Sequence, residues 1–194
     1  MTLVLASKSA SRAAMLKAAS VPFEVQGANM DEDAAKASMA ALPLRDLADA
    51  LAELKAVKVS RSRPGDLVVG SDSVVALEDG TRLDKPGGAL AEQLRLLSGR
   101  THKLWSAAVV AENGAPVWRH VEVATLTMRT LSEGFIADYV AREGAFAGEC
   151  VGGYRIEGPG AQLFTKIEGS HFAIMGLPLL PLLAWLRERG VLAS

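Results

Sequence analysis

The chain has little cysteine and no excess of basic charge, and each shortage excludes a class of protein. Cys150 is the single cysteine among 194 residues, so no intramolecular disulfide can form, which is typical of a reducing cytoplasm. We expect Cys150 to be a small buried apolar residue. With 21 basic and 22 acidic side chains, the formal net charge is -1. Broad electrostatic capture of DNA or RNA is therefore not expected, and an anionic ligand needs locally placed cations.

Long apolar runs are missing as well. Residues 1–6 are mostly apolar but form too short a stretch for a signal peptide or a membrane span. The apolar run 177–186 contains Pro178 and Pro181 and is followed by arginine residues, which predicts a docked C-terminal helix. The sequence thus predicts a cytoplasmic protein with no membrane partner.

Several common catalytic and binding motifs are absent. There is no Gly-x4-Gly-Lys-Ser/Thr phosphate loop and no Gly-x-Gly-x-x-Gly dinucleotide motif. No Gly-x-Ser-x-Gly elbow indicates an α/β-hydrolase triad. The three histidines, at positions 102, 120 and 171, are too widely spaced for a structural zinc site.

Short apolar runs and helical stripes follow one another without strict alternation. The runs predict strands at 3–6, 23–25, 66–70, 74–77, 104–111, 117–127, 163–167 and 172–175. The stripes predict helices at 13–19, 44–61, 89–97, 131–141 and 179–186. Hairpin turns are expected at Asp79-Gly80 and Asn113-Gly114, an acidic loop at 28–33, and an irregular Gly-rich stretch at 144–160. Together these elements predict an α/β domain with a mixed sheet.

The segment 7–12, Ser-Lys-Ser-Ala-Ser-Arg, follows the first strand and opens the first helix. A helix N-terminus offers unpaired N–H groups and the positive end of a dipole, so it binds anions well. Arg12 can add a bidentate contact to phosphate oxygens. The alternative is a helix capped by Ser9 or Ser11, with its arginine and lysine in water.

Carboxylates occur at two places that suit chemistry. Asp72 follows the predicted strand 66–70, and a carboxylate at the end of a buried strand can bind a divalent ion or activate water. The alternative is an aspartate that forms a turn. One of Asp31, Glu32 and Asp33 could supply a metal ligand, although such a cluster is often a solvated loop or a helix cap.

Three lysines could supply further cations. Lys55 and Lys58 both border the apolar stripe of the helix at 44–61, so the helical period does not choose between them. Lys85 precedes Pro86, which favours an extended backbone and would fix its direction. The alternative for each lysine is an ordinary surface position.

Seven sequence pieces in order resemble the Maf family of nucleotide pyrophosphatases, from Leu3 to about Leu186. They are LASKSASR, LAELKA, GSDSVV, LDKP, LSGRTH, YRIEGPG and IMGLPL. That family was first associated with septum formation and is similar in structure to the inosine triphosphatase fold. The resemblance implies a single domain over 1–194, with a two-lobed mixed sheet, flanking helices, a central cleft and often a homodimer. It also implies cleavage of a nucleoside triphosphate between its α- and β-phosphates with a divalent cation such as magnesium, manganese or cobalt.

By motif position, the resemblance gives roles to individual residues. The general base falls on Asp72, with Glu32 and Asp72 as the metal ligands. The other phosphate-handling positions fall on Ser7, Ser9, Arg12, Lys55 and Lys85. The resemblance therefore selects Lys55 over Lys58, and Glu32 over its acidic neighbours.

The base-selecting positions of the family fall on Ser11, Ser73 and Glu157. The family usually has Ser-x-Ser-Pro followed by Arg-Arg or Trp-Arg, whereas Ala10 and Ser11 stand here. Members that act on dTTP and UTP resemble Arg, Thr, Gln at the three positions, and members that act on 7-methyl-GTP resemble Trp, Gln, Glu. This chain mixes the two patterns.

Glu157 favours a guanine-type base, because a carboxylate only accepts hydrogen bonds and suits the N1–H and the exocyclic amine. The positive charge of 7-methylguanine would favour it further. The sequence therefore predicts hydrolysis of 7-methyl-GTP or another modified nucleotide. The alternatives are a dTTP and UTP pyrophosphatase, and a nucleotide-binding regulator of septum formation with incidental hydrolysis.

Overall fold

The computed structural model of the chain describes residues 1–193. Within them lie seven strands: β1 (Leu3–Leu5), β2 (Glu24–Val25), β3 (Leu67–Leu77), β4 (Arg82–Leu83), β5 (Thr101–Glu112), β6 (Ala115–Met128) and β7 (Phe164–Glu168). The same residues form seven α-helices: α1 (Ala10–Ala18), α2 (Glu32–Ser38), α3 (Leu44–Ser60), α4 (Leu90–Leu97), α5 (Glu133–Ala147), α6 (His171–Ile174) and α7 (Leu179–Glu188). Two 3₁₀ turns span Gly87–Ala89 and Pro159–Leu163. None of the helices in the described part is both long and apolar enough to cross a bilayer.

All seven strands belong to one mixed sheet. The hydrogen-bonded order is β2-β1-β3-β5-β6-β7, and β4 pairs with β3 off this path. β1 runs parallel to both β2 and β3, whereas β3 and β4, and β6 and β7, are antiparallel pairs. The predicted α/β class with a mixed sheet and flanking helices is confirmed.

The chain divides into two compact units. The first contains Met1–Ser73, Trp105–Glu122 and the residues from Gly176 onwards, and the second contains Val74–Leu104 and Val123–Met175. In the first unit, a small apolar core packs β1 and β3 against α3; it consists of Val4, Ala6, Ala28, Val59 and Val68. The second unit has a larger core, to which α4 contributes Leu90, Leu94 and Leu97.

Gly70 brings α3 unusually close to β3 in the first unit. A Cβ atom at this position would clash with the carbonyl oxygen of Ala52 and lie 2.6 Å from the backbone nitrogen of Ala56. Ala52 and Ala56 are fully buried alanines of α3, on the turns that flank Lys55. The small side chains on both elements therefore set how near Lys55 comes to the strand.

The two turns and the long helix that the sequence predicts are confirmed. Helix α3 spans Leu44–Ser60, one residue short of the predicted end. β3 and β4 pair across Asp79-Gly80, with Val75 opposite Leu83. Asn113 and Gly114 join β5 to β6 with φ of 51° and 79°, the left-handed backbone that a two-residue hairpin requires.

Three predictions about single elements are wrong. Asp72 does not follow a strand end, because β3 continues without a break through residues 67–77. The acidic loop expected at 28–33 gives way to helix α2, which starts at Glu32 because the side chain of Asp31 accepts the N–H of Ala34, 2.9 Å away. The strand expected at 172–175 is helix α6, which Ser170 caps in the same manner.

Helix α5 also exceeds its predicted length. Ser132 caps it as expected, with its hydroxyl accepting from the N–H of Phe135. The helix then continues to Ala147, inside the stretch at 144–160 that the glycine content marked as irregular. Gly144 is tolerated there, since a glycine in a helix costs only about 1 kcal/mol.

Candidate active site

The loop from β1 to α1 holds the first group of site residues. Ser9 is the N-cap of α1, and its hydroxyl accepts the backbone N–H of Arg12 at 3.4 Å. Ser7 is nearly buried, and its hydroxyl accepts the backbone N–H of Ser9 at 3.2 Å. Ser9, rather than Ser11, is thus the cap, and Ser11 lies half-buried in the first turn.

Arg12 extends its guanidinium along this loop and is anchored at all three nitrogens. Its Nε donates to the carbonyl oxygen of Gly176 at 2.6 Å. Its Nη1 donates to Ser7 Oγ at 3.2 Å, and its Nη2 donates to Ser73 Oγ at 3.3 Å. Ser73, a residue of the base-selecting set by resemblance, thus contacts the arginine.

Burial lowers the pKa of Arg12 below its ordinary value, while the negative charges of Asp72 and Glu32 act in the opposite direction. An arginine remains protonated at neutral pH despite such a shift. Arg12 is therefore a fixed cation within electrostatic reach of two carboxylates.

Lys55 and Asp72 form a buried ion pair between α3 and β3. The Nζ of Lys55 lies 2.6 Å from Asp72 Oδ1, and the two residues are only 5 % and 6 % exposed. The same Nζ lies 2.9 Å from Glu32 Oε1, whose side chain is 45 % exposed. By contrast, Lys58 is exposed and donates to the carbonyl oxygen of Asn29. Of the two lysines that the helical period left open, Lys55 is the one that meets the carboxylates.

The second oxygen of Asp72 is the most unusual atom of this group. Oδ2 is buried and has no hydrogen-bond partner among residues 1–193. Leaving a buried carboxylate oxygen unpaired is costly, so such an atom in a native protein calls for an explanation such as a bound water or ion. The atom therefore points to a ligand at this position.

Glu32 and Asp72 fit a hard divalent cation. Magnesium prefers oxygen ligands and commonly takes one or two carboxylates, completing its shell with water and substrate phosphates. No cluster of three histidine, cysteine or acidic side chains that could hold a metal occurs in the described chain. A cation held by these two carboxylates would take its remaining ligands from other oxygens, such as those of water and substrate phosphates.

Lys85 and Glu157, two further positions marked by the resemblance, belong to the second unit. Lys85 is exposed and lies two residues after the end of β4. Glu157 Oε1 accepts from Arg155 Nε at 3.3 Å. Burial raises the pKa of the Cys150 thiol, the charge of Glu157 raises it further, and the charge of Lys85 lowers it. The charges of Lys85 and Glu157 thus both influence the thiol of Cys150.

Sequence reasoning missed two residues that the geometry ties to the site. Ser71 is fully buried, and its hydroxyl lies 2.7 Å from the carbonyl oxygen of Ala107 and 2.8 Å from that of Gly176. A signal was present at Ser71, because Ser-Asp-Ser is an unusually polar run inside an apolar strand. The signal at Gly176 was weaker, because this residue is one of 18 glycines in the chain.

Known proteins resemble this chain over almost its whole length. The family described as Maf-like protein matches residues 2–189. A nucleoside triphosphate pyrophosphatase of Sphingopyxis alaskensis is 50 % identical over 195 residues, covering 98 % of each chain. One of the same name from Hyphomonas neptunium is 50 % identical over 198 residues, covering 100 % of this chain and 99 % of its own. A 7-methyl-GTP pyrophosphatase of Brucella abortus is 49 % identical over 191 residues, covering 96 % of this chain and 95 % of its own. The chain belongs to the Maf-like family.

Proposed function

We propose that this protein hydrolyses nucleoside triphosphates to a nucleoside monophosphate and pyrophosphate. One observation carries the proposal: Asp72 is held by Lys55 through Oδ1, while its buried Oδ2 finds no partner in the described residues. An acid held in this way has one oxygen available for a water molecule. The names of the relatives from Sphingopyxis alaskensis and Hyphomonas neptunium support the same activity.

Asp72 acts as the general base. Its Oδ2 accepts a hydrogen bond from a water molecule and takes the proton as the water oxygen attacks the α-phosphorus. The bond from the α-phosphorus to the bridging oxygen of the β-phosphate breaks, and pyrophosphate leaves with the electron pair. General-base help of this kind is typically worth about 10²- to 10⁴-fold in rate.

Arg12 and Lys55 supply positive charge for the polyphosphate. Their N–H groups lie in a buried or partly buried setting, where hydrogen bonds to charged phosphate oxygens are stronger than in water. Lys55 has three N–H donors and uses two for Asp72 and Glu32, which leaves one for a ligand. Lys85 and the hydroxyls of Ser7 and Ser9 stay predictions as substrate-binding groups.

A divalent cation, magnesium, manganese or cobalt, completes the proposal. Glu32 and Asp72 would hold it, since a carboxylate oxygen has lone pairs for more than one partner. A bound cation would offset the charge of the phosphate oxygens and orient them.

For the substrate we propose 7-methyl-GTP. Glu157 supports this choice because a carboxylate only accepts hydrogen bonds and suits the N1–H and the exocyclic amine of a guanine-type base. The relative from Brucella abortus is named for the same nucleotide. The homodimer, the cytoplasmic location, the single domain over 1–194, and the absence of nucleic-acid and membrane partners stay predictions.

The test is a product analysis of the wild type and of Asp72→Asn. We expect the wild type to release pyrophosphate and monophosphate, with the highest kcat/KM on 7-methyl-GTP in a panel with GTP, dTTP and UTP. Asp72→Asn keeps the size of the side chain but not its basicity, so kcat should fall by about 10²-fold or more. The control is Asp46→Asn, which changes an exposed aspartate in the first turn of α3 and should leave kcat unchanged.

Three results would contradict the proposal. Wild-type rates in a folded Asp72→Asn protein would exclude Asp72 as the base. Inorganic phosphate and a nucleoside diphosphate as products would mean that the γ-phosphate is removed instead. Tight nucleotide binding without pyrophosphate release would favour the regulator that the sequence left as an alternative.

A further inference from the structure

We propose that Ser71 is a positioning residue, which fixes the carbonyl group of Gly176 and through it the guanidinium of Arg12. The inference rests on the proposed function, because it assigns Arg12 to the polyphosphate of the substrate. It goes beyond that function in naming the groups that aim the arginine.

The carbonyl oxygen of Gly176 is shared by two donors. Arg12 Nε approaches it to 2.6 Å, and Ser71 Oγ lies 2.8 Å from it. The single hydroxyl proton of Ser71 is shared between this oxygen and that of Ala107, 2.7 Å away. Gly176 has φ of 104°, a left-handed conformation that favours glycine, and a Cβ atom there would lie 3.3 Å from Arg12 Nε. The backbone at Gly176 is thus shaped to present its oxygen to these two side chains.

Alternate residues of β3 point to opposite faces of the strand. Gly70 and Asp72 meet α3, where Lys55 binds the aspartate. Ser71 and Ser73, with the opposite pointing that a strand imposes, contact Gly176 and Arg12. One rigid strand therefore holds the proposed base on one face and orients the arginine from the other.

The hydrogen-bond inventory of Arg12 shows what remains for a ligand. A guanidinium has five N–H donors. Contacts to Gly176, Ser7 and Ser73 use one N–H each, which leaves two, one on each Nη. The directions of these two N–H groups follow from the three anchors. Two of the anchors are hydroxyls on rotatable side chains, whereas the third is a backbone carbonyl that Ser71 restrains.

The expected kinetic effect follows from the part of the substrate that Arg12 would contact. The polyphosphate is common to all nucleoside triphosphates, so a loosened Arg12 weakens binding of each of them alike. A residue that reads the base would instead change the ratio between nucleotides. Uniform change across bases is thus the signature of this role.

The experiment compares Ser71→Ala with Ser106→Ala. Ser106 is also a fully buried serine, in the same unit, and its hydroxyl has no partner among the described residues. We expect Ser71→Ala to raise KM about three- to tenfold, by the same factor for 7-methyl-GTP, GTP, dTTP and UTP, with kcat within about twofold of wild type. The Kd of inorganic triphosphate, measured by calorimetry, should rise by the same factor. Ser106→Ala should change neither constant.

A double-mutant cycle tests whether Ser71 acts through Arg12. On an Arg12→Ala background, Ser71→Ala should have no further effect on the Kd of inorganic triphosphate. Should Ser71→Ala lower the melting temperature too far for assay, Ser71→Cys keeps the volume with a weaker donor and should raise KM in the same uniform way.

The inference is wrong if Ser71→Ala and Ser106→Ala behave alike, if the factor differs between bases, or if the two effects add on the Arg12→Ala background. These outcomes differ from a failure of the proposed function, which would show in the products of the wild type or in the activity of Asp72→Asn.

Discussion

At the scale of single residues, the unusual feature is the sharing of one ammonium by two carboxylates. Lys55 lies within 3 Å of both Asp72 and Glu32, at 2.6 and 2.9 Å. Removing one partner of a buried pair leaves an uncompensated charge, which is strongly destabilising. Lys55 compensates only one of the two carboxylates, and the guanidinium of Arg12 lies within electrostatic reach of both.

Glu32→Gln tests whether the two carboxylates bind a metal. The substitution removes one carboxylate, and the affinity for a hard cation depends on the number of charged ligands. We expect the magnesium concentration for half-maximal activity to rise about tenfold or more. Asp33→Asn is the matched control, because it removes the next acidic side chain of the same turn of α2. An equal magnesium requirement in the two variants would exclude Glu32 as a ligand.

At the scale of elements, the contact between α3 and β3 determines the geometry of the site. Lys55 reaches Asp72 because Gly70 lets the helix backbone lie against the strand. No larger side chain at position 70 preserves that distance, since the nearest atoms are backbone atoms of Ala52 and Ala56 and cannot rotate away. Gly70, which has no functional group, therefore determines where the ammonium group of Lys55 lies.

Gly70→Ala should accordingly damage both stability and activity. Inserting a methyl group into a packed interior typically costs about 1–3 kcal/mol, and the displaced helix carries Lys55 away from Asp72. Urea unfolding and kcat/KM measure the two effects. Gly134→Ala is the control, since this residue of α5 has open space around its Cβ position and a helical backbone, and it should be neutral or slightly stabilising. Wild-type activity in Gly70→Ala would show that the spacing does not matter.

The elements that sequence reasoning found are those with strong periodicity or turn chemistry. A stripe of leucines predicted helix α3, and two Asx-Gly pairs predicted the hairpins. Helix α2 has no buried residue, so it left no stripe, and only the capping role of Asp31 could have revealed it. The polar run around Asp72 suggested a strand end, whereas tertiary partners for Ser71 and Asp72 allow the run to stay inside β3.

Only part of the site could be predicted from the sequence. Spacing offered Lys55 and Lys58 equally, and choosing between them required the direction of α3 relative to β3. The resemblance made that choice. In the structure Lys55 contacts Asp72, whereas Lys58 contacts the carbonyl oxygen of Asn29. The contacts of the Gly176 carbonyl group could not be predicted, because every residue has a backbone carbonyl and the sequence does not mark which of them matter.

At the scale of the whole molecule, a buried histidine couples stability to pH. His102 is fully buried in the second unit; its Nε2 lies 2.8 Å from the hydroxyl of Tyr154, and the ring also packs near Phe164. Burial lowers the pKa of His102 from 6.5 to about 4. Between these values the unfolded chain binds a proton that the folded chain does not, so stability falls as the pH falls from 6.5 to 4.

We expect this histidine to remove up to about 3 kcal/mol from the free energy of unfolding over that pH window. Carboxylates titrate in the same window, so the measurement compares variants. Unfolding by urea at several pH values should give a flatter profile for His102→Gln than for the wild type. The control His120→Gln changes a more exposed histidine of β6 and should reproduce the wild-type slope. Parallel profiles for all three proteins would contradict the assignment.

The bond from Arg12 to Gly176 spans 164 positions of the chain. A ribosome therefore makes the arginine long before its carbonyl partner. Until Gly176 is made, the growing polypeptide lacks the carbonyl group that accepts from Arg12 Nε, even after Lys55 and Asp72 have emerged. We therefore expect fragments that end before Gly176 to lack this anchor and to hold Arg12 less firmly.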